Sequence, residues 1–162
     1  MTNWTQLITE NHAWAHANDG FSLVLSDPAS QSDIATLEKQ LGIKLPAELH
    51  DVYMRHNGFG IRSSADPARI YWTLAPVSRV PELTGSARDW FQETHPKEAS
   101  LFYPVIDWHC GDYTGYLVTS DGNALDGLFT FEHESYEFDS EQSPEDFLIP
   151  SHESLSKFLL AR

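Results

Sequence analysis

Lysine and arginine are scarce in this chain, and over one long stretch they are missing. Ten basic side chains face 24 acidic ones, for a net charge of −14. Between Lys97 and Lys157 there is neither Lys nor Arg, while thirteen acids fall between Glu98 and Glu153. Phosphate affinity depends on those two basic side chains, so the imbalance argues against nucleic acid and acidic membranes as partners. Cysteine is nearly absent as well. Cys110 stands alone, which rules out an internal disulfide, a CxxC pair and a zinc ribbon. No apolar run approaches the roughly 18 residues of a membrane span. The opening MTNWTQLITENHAWAH lacks the basic start and apolar segment of an export signal. The absences together lead to the expectation of a soluble, cytoplasmic protein.

What is present points to a single domain over residues 1–162. A hydrophobic content of 41% with 12% aromatics is enough to build a core in a chain of this length. Asn3 to Asn18 has helical spacing, with Trp4, Leu7, Ile8 and Trp14 on its buried side and Asp19-Gly20 as its stop. Phe21–Leu25 is a short β-prone run. Ser30-Gln-Ser-Asp33 caps a helix whose Ile34, Leu37 and Leu41 share one face, and Gly42 supplies the left-handed stop. Pro46 opens the next helix, Leu49, Val52 and Tyr53 form its apolar stripe, and Asn57-Gly58 closes it. Downstream, Arg69–Leu74, Leu101–Ile106, Tyr113–Thr119 and Leu128–His133 read as strands. Pro81–Thr94 reads as a helix, and Ser143–Leu148 and Ser151–Ala161 as capped helical segments. The sum is an α+β domain with an antiparallel or mixed sheet of about four to six strands flanked by helices.

Several motifs that would carry chemistry fail on spacing. Gly58-Phe-Gly60-Ile-Arg-Ser63 begins like a dinucleotide loop, but it follows a helix and lacks the last glycine, so it reads as a turn. His12 and His16 stand one helical turn apart without the zincin glutamate between them, and read as surface histidines. Asp107-Trp-His109-Cys110-Gly-Asp112 gathers ligand types in six residues and is the one place for a metal-dependent or nucleophilic activity. Asp121 to Gly127 resembles a calcium loop with Glu132 at the twelfth position, yet its glycine is one place late and Leu125 sits at a ligand position. Alternation along a strand would put Glu132 and Glu134 on one face and His133 on the other.

Leu37-Glu38, Leu41-Gly42, Leu45-Pro46 and Asn57-Gly58 follow one another in the order of the SUKH superfamily, the Smi/Knr-like fold, which the chain resembles. Phe102-Tyr103-Pro104, Gly111-Asp112 and Phe131-Glu132-His133 continue the pattern, so that it runs from about Ser26 to Leu148 and leaves the N-terminal helix outside. The resemblance implies an α+β fold without enzymatic activity or cofactor. For bacterial members it implies an immunity protein that neutralises a cognate toxin, many such toxins being nucleases; eukaryotic relatives are interaction proteins. A basic toxin would meet this chain through its acidic half. The expected contacts are Trp108, Asp112, Asp121, Asp126, Glu132, Glu134, Tyr136, Glu137, Asp139 and Glu141, with the two aromatics as anchors. The alternatives are a scaffold-type interaction module without a toxin, or a metal-dependent enzyme centred on Asp107–Asp112.

Overall fold

In the computed structural model, which describes residues 1–161, the strands pair in the order in which the chain makes them. They are β1 (Phe21–Leu25), β2 (Phe59–Ser63), β3 (Asp66–Leu74), β4 (Phe102–Asp107), β5 (Tyr113–Leu117), β6 (Leu128–Phe131) and β7 (Leu148–His152). Every neighbouring pair is antiparallel, which makes a seven-stranded meander. Around it lie α1 (Trp4–Asn11), α2 (Ala13–Ala17), α3 (Gln31–Leu41), α4 (Ala47–Arg55), α5 (Val80–Phe91), α6 (Pro96–Leu101) and α7 (Leu155–Leu160). The α+β class is the one expected, with more strands than expected.

The two extra strands have physical causes. Phe59–Ser63 is β2, not a turn, because Gly60 has no Cβ to collide with the Tyr71 carbonyl oxygen across the pair. At the other end, Leu148–His152 pairs with β6 as an edge strand, a position that tolerates Pro150. The last helix therefore starts only after Ser154, whose hydroxyl accepts the Lys157 amide at 3.1 Å. The segment after Ser143 makes a single 3-10 turn, Pro144–Asp146.

The N-terminal helix also breaks in two, at His12. Its ring is buried and reaches the Ile8 carbonyl at 2.8 Å and the Thr73 hydroxyl at 3.3 Å, so His12 is a core residue, while His16 is exposed as expected. Trp14, placed on the buried side from its spacing, is 43% exposed.

The α3–α4 pair explains its own sequence. Ser30 and Asp33 form a reciprocal capping box, and Gly42 adopts φ 69° and ends α3. Glu38 then reaches over the pivot, and its carboxylate accepts the Leu45 amide at 2.9 Å. Asn57 Oδ1 accepts the Val77 amide, Tyr53 donates its hydroxyl to the Ala75 carbonyl at 2.7 Å, and Glu48 accepts the amides of Leu155 and Ser156 at the start of α7. Glu38, Glu48, Tyr53 and Asn57 thus clamp neighbouring segments together. The stretch is architecture.

Two apolar clusters result. The larger joins Trp4, Ile34, Leu37, Leu49, Val52 and Phe59 to Ile106 and to Phe158 of α7. The smaller is aromatic and packs Phe91, Phe102, Phe131, Tyr136 and Phe147 together. Helix α5 belongs to both, giving Val80 and Leu83 to the first and Ala87 and Phe91 to the second. Between β3 and β4 the ladder is reduced to one pair, Leu74 with Ile106.

Glu38→Ala should lower stability by about 1–2 kcal/mol, the range for leaving a partly buried amide without its acceptor. Glu38→Gln, which keeps a side-chain oxygen, should recover most of that loss, and exposed Lys39→Ala should stay within about 0.5 kcal/mol of the parent. Urea unfolding curves of the three variants provide the comparison; equal midpoints for Glu38→Ala and Lys39→Ala would remove the clamp from the account.

Candidate functional site

Strand β6 stops at Phe131, and the Glu132 amide makes one last bond to the Phe147 carbonyl at 2.8 Å. Between these points the chain forms a loop, Glu132 to Asp146, that holds seven acids and no Lys or Arg. Neutral groups fix its shape. Gln142 donates to the Ser135 carbonyl at 2.8 Å and accepts the Glu137 amide at 2.9 Å, closing the loop on itself. The Gln142 carbonyl is tied to His95 Nε2 at 2.7 Å, and the Tyr136 hydroxyl lies 2.6 Å from Thr94 Oγ1. The Tyr136 ring sits among His95, Phe131 and Phe147, 5% exposed.

So held, the loop turns Glu134, Glu137, Asp139, Glu141, Glu145 and Asp146 to solvent. A hydrogen bond from the Ser143 hydroxyl holds the Glu145 carboxyl below the usual carboxylate range. At the tip, Phe138 takes the left-handed conformation, φ 56°, and is 65% exposed. Its ring leans on Tyr136 at 4.5 Å and on Trp90 at 6.3 Å. An exposed aromatic thus rests on buried Tyr136 and half-buried Trp90, with Glu137 and Asp139 on either side of it in the chain. The sequence pattern did not single it out, because the register of an irregular loop cannot be read from alternation.

The ten expected contact residues do not form one face. Glu134, Glu137, Asp139 and Glu141 lie together on the loop, with Glu132 half-buried at its base. Asp112, at the same end of the sheet, is half-buried and accepts the His133 amide at 2.9 Å, which ties the β4–β5 turn to the loop. Trp108, also in that turn, is 48% exposed, with its indole N–H on Thr114 Oγ1 at 2.9 Å and its ring against Phe158. Tyr136 is the correction: it supports Phe138 from below and presents no surface of its own. Alternation of Glu132 and Glu134 along a strand also fails, since the strand has ended before either.

Asp121 and Asp126 are exposed but occupy the β5–β6 loop, at the opposite end of the sheet, where Gly122 bonds the Lys44 amide beside the α3–α4 pivot. Thr119 and Asn123 supply the bonds that hold the Asp121 carboxyl below its ordinary value. Strand β6 separates this loop from Glu132, so the calcium-like spacing does not close into a loop around an ion.

A second concavity opens where the β3–β4 ladder is missing. This cleft of about 450 Å³ is walled by Ile70, Trp72, Arg79, Leu83, Asp107 and His109. His109 Nε2 meets the Trp72 carbonyl at 2.8 Å and so spans the gap. Burial first, and then the neighbouring Asp107 carboxylate, push the Tyr113 phenol up. Charges of both signs line it, unlike the loop.

The meander, clamped by a helix pair, thus carries a hydrogen-bonded charged loop turned to solvent and a separate cleft beside the β3–β4 joint. The family model of the SMI1 / KNR4 family (SUKH-1) matches residues 28–159, and the chain belongs to that family. No curated protein matches it. Among the described residues, no helix is long and apolar enough to cross a membrane.

Tyr136→Ala and Phe138→Ala should separate support from surface. The first empties a buried aromatic site and should cost about 3 kcal/mol or more of unfolding free energy; the second removes an exposed ring and should cost less than about 0.5 kcal/mol. Thermal and urea unfolding of both variants decide the point, and a large loss for Phe138→Ala would show that its ring belongs to the core.

Proposed function

We propose that this protein is a cytoplasmic immunity protein that binds a basic toxin, such as a nuclease, and blocks its active site. The observation that carries the reading is the loop Glu132–Asp146: seven acids, no Lys or Arg, a main chain held by Gln142 and Phe138 at the tip. A nuclease must present positive potential to hold phosphate, so an acidic, stiff loop can be drawn to that site and occupy it. Family membership supports a protein partner. Rigidity matters because a loop ordered in advance loses little entropy on binding. The protein acts here by occlusion, with no bond made or broken.

The test is co-expression with the product of the adjacent open reading frame, reading co-purification and rescue of growth. Glu134→Lys with Glu137→Lys should slow association about tenfold or more at low salt, with a difference that shrinks as salt is raised. Phe138→Ala should leave the association rate unchanged and raise the dissociation rate about tenfold, equivalent to about 1.4 kcal/mol. An association rate indifferent to both charge reversals would move the contact surface elsewhere, and a toxic neighbour neither bound nor neutralised would overturn the reading.

A further inference from the structure

The six-residue cluster Asp107–Asp112 divides in the folded chain. Asp107 and His109 turn toward the cleft, where Asp107 accepts the His109 amide at 2.8 Å and His109 Nε2 meets the Trp72 carbonyl. Cys110 and Asp112 turn the other way and meet His133, at the start of the acidic loop. One donor atom from each of Cys110, Asp112 and His133 lies within 4.8 Å of the others. From this juxtaposition we propose that the three residues hold a single borderline-soft divalent cation, with zinc as the reference ion.

The geometry favours a ligand set over a chance meeting of polar groups. Asp112 Oδ1 accepts the His133 amide at 2.9 Å and lies 2.6 Å from His133 Nδ1. Oδ1 and Nδ1 thus face one point from two sides, and a cation placed there would take the position of the proton between them. Gly111 makes the approach feasible: at φ 102°, a Cβ there would stand 3.1 Å from the His133 ring and 3.2 Å from Trp90. Trp90 backs the imidazole at 5.6 Å and limits its motion.

The Cys110 thiol is exposed, so a rotation about its side chain brings sulfur to the bonding distance of about 2.3 Å at little cost. Thiolate, imidazole and carboxylate together suit zinc better than calcium or magnesium, which take oxygen alone. The neighbouring carboxylates of the loop, with no Lys or Arg between Lys97 and Lys157, raise the local cation concentration. Binding exchanges aqua ligands of the ion for the Cys110 sulfur, His133 Nδ1 and an Asp112 oxygen; the thiol proton passes to solvent, and the imidazole proton moves from Nδ1 to Nε2. No electron is transferred, and one coordination position stays open to water.

The test uses the reduced full chain with cobalt(II), then zinc(II), as probes. One equivalent of cobalt(II) should give a sulfur-to-cobalt charge-transfer band in the near ultraviolet, and zinc should abolish it by displacement. Zinc should also slow alkylation of Cys110 by iodoacetamide at least about tenfold. Cys110→Ser, at an exposed position that leaves the fold intact by circular dichroism, should lose the band; His133→Ala should lose the zinc protection of Cys110. Absence of the band in the parent chain, or zinc bound by Cys110→Ser with unchanged affinity and stoichiometry, would overturn the proposal and leave only adventitious binding to the acidic loop. Both readouts are independent of any toxin, so they stand or fall apart from the proposed function.

Discussion

Seven carboxylates in one fifteen-residue loop repel each other, and the loop can hold a single shape only if something outside the charges imposes it. No Lys or Arg within the loop relieves the repulsion. The constraint is met without Lys or Arg: Gln142 joins both limbs, Tyr136 is set into the aromatic cluster, and His95 Nε2 holds the Gln142 carbonyl. The smaller core is therefore the foundation of the charged surface. Its placement between α5, α6 and the far strands follows from that need as much as from burial.

A division of labour runs through the chain. The conspicuous polar residues of the helix pair, Glu38, Glu48 and Asn57, turn inward to hold backbone amides, so changing them would loosen the frame. The acids of the loop make few structural bonds and are free to differ in a protein with another partner. Helix α5 links the two regions by packing into both clusters. A SUKH-1 domain of this build separates what keeps the fold from what faces outward.

Much of the frame was legible because its signals are local. Ser30 with Asp33, Gly42, and Asn57-Gly58 mark helix ends by their own chemistry, and Ile34 with Leu37 shows its periodicity directly. The errors occur where a distant contact decides. Phe59–Ser63 is a strand because Tyr71 lies across from Gly60, and Leu148–His152 is one because β6 offers an edge; neither fact is written nearby. The site was legible as a composition, through its missing bases, and illegible as a shape. Separation of Asp121 and Asp126 from the rest required the strand order, burial of Tyr136 required the aromatic cluster, and Phe138 became visible only with its left-handed backbone.

The single rung between β3 and β4 has a mechanical consequence. Three strands lie on one side and four on the other, joined by the Leu74–Ile106 pair and by the Ala75 amide on the Val105 carbonyl, with His109 across the opening and the larger apolar cluster behind. A continuous ladder would tie the two halves by many backbone bonds; here side-chain packing does most of the joining. The acidic loop runs from β6 to β7, so it belongs wholly to the four-stranded side of that joint, and the frame of α3 and α4 reaches it only through the packing behind the sheet.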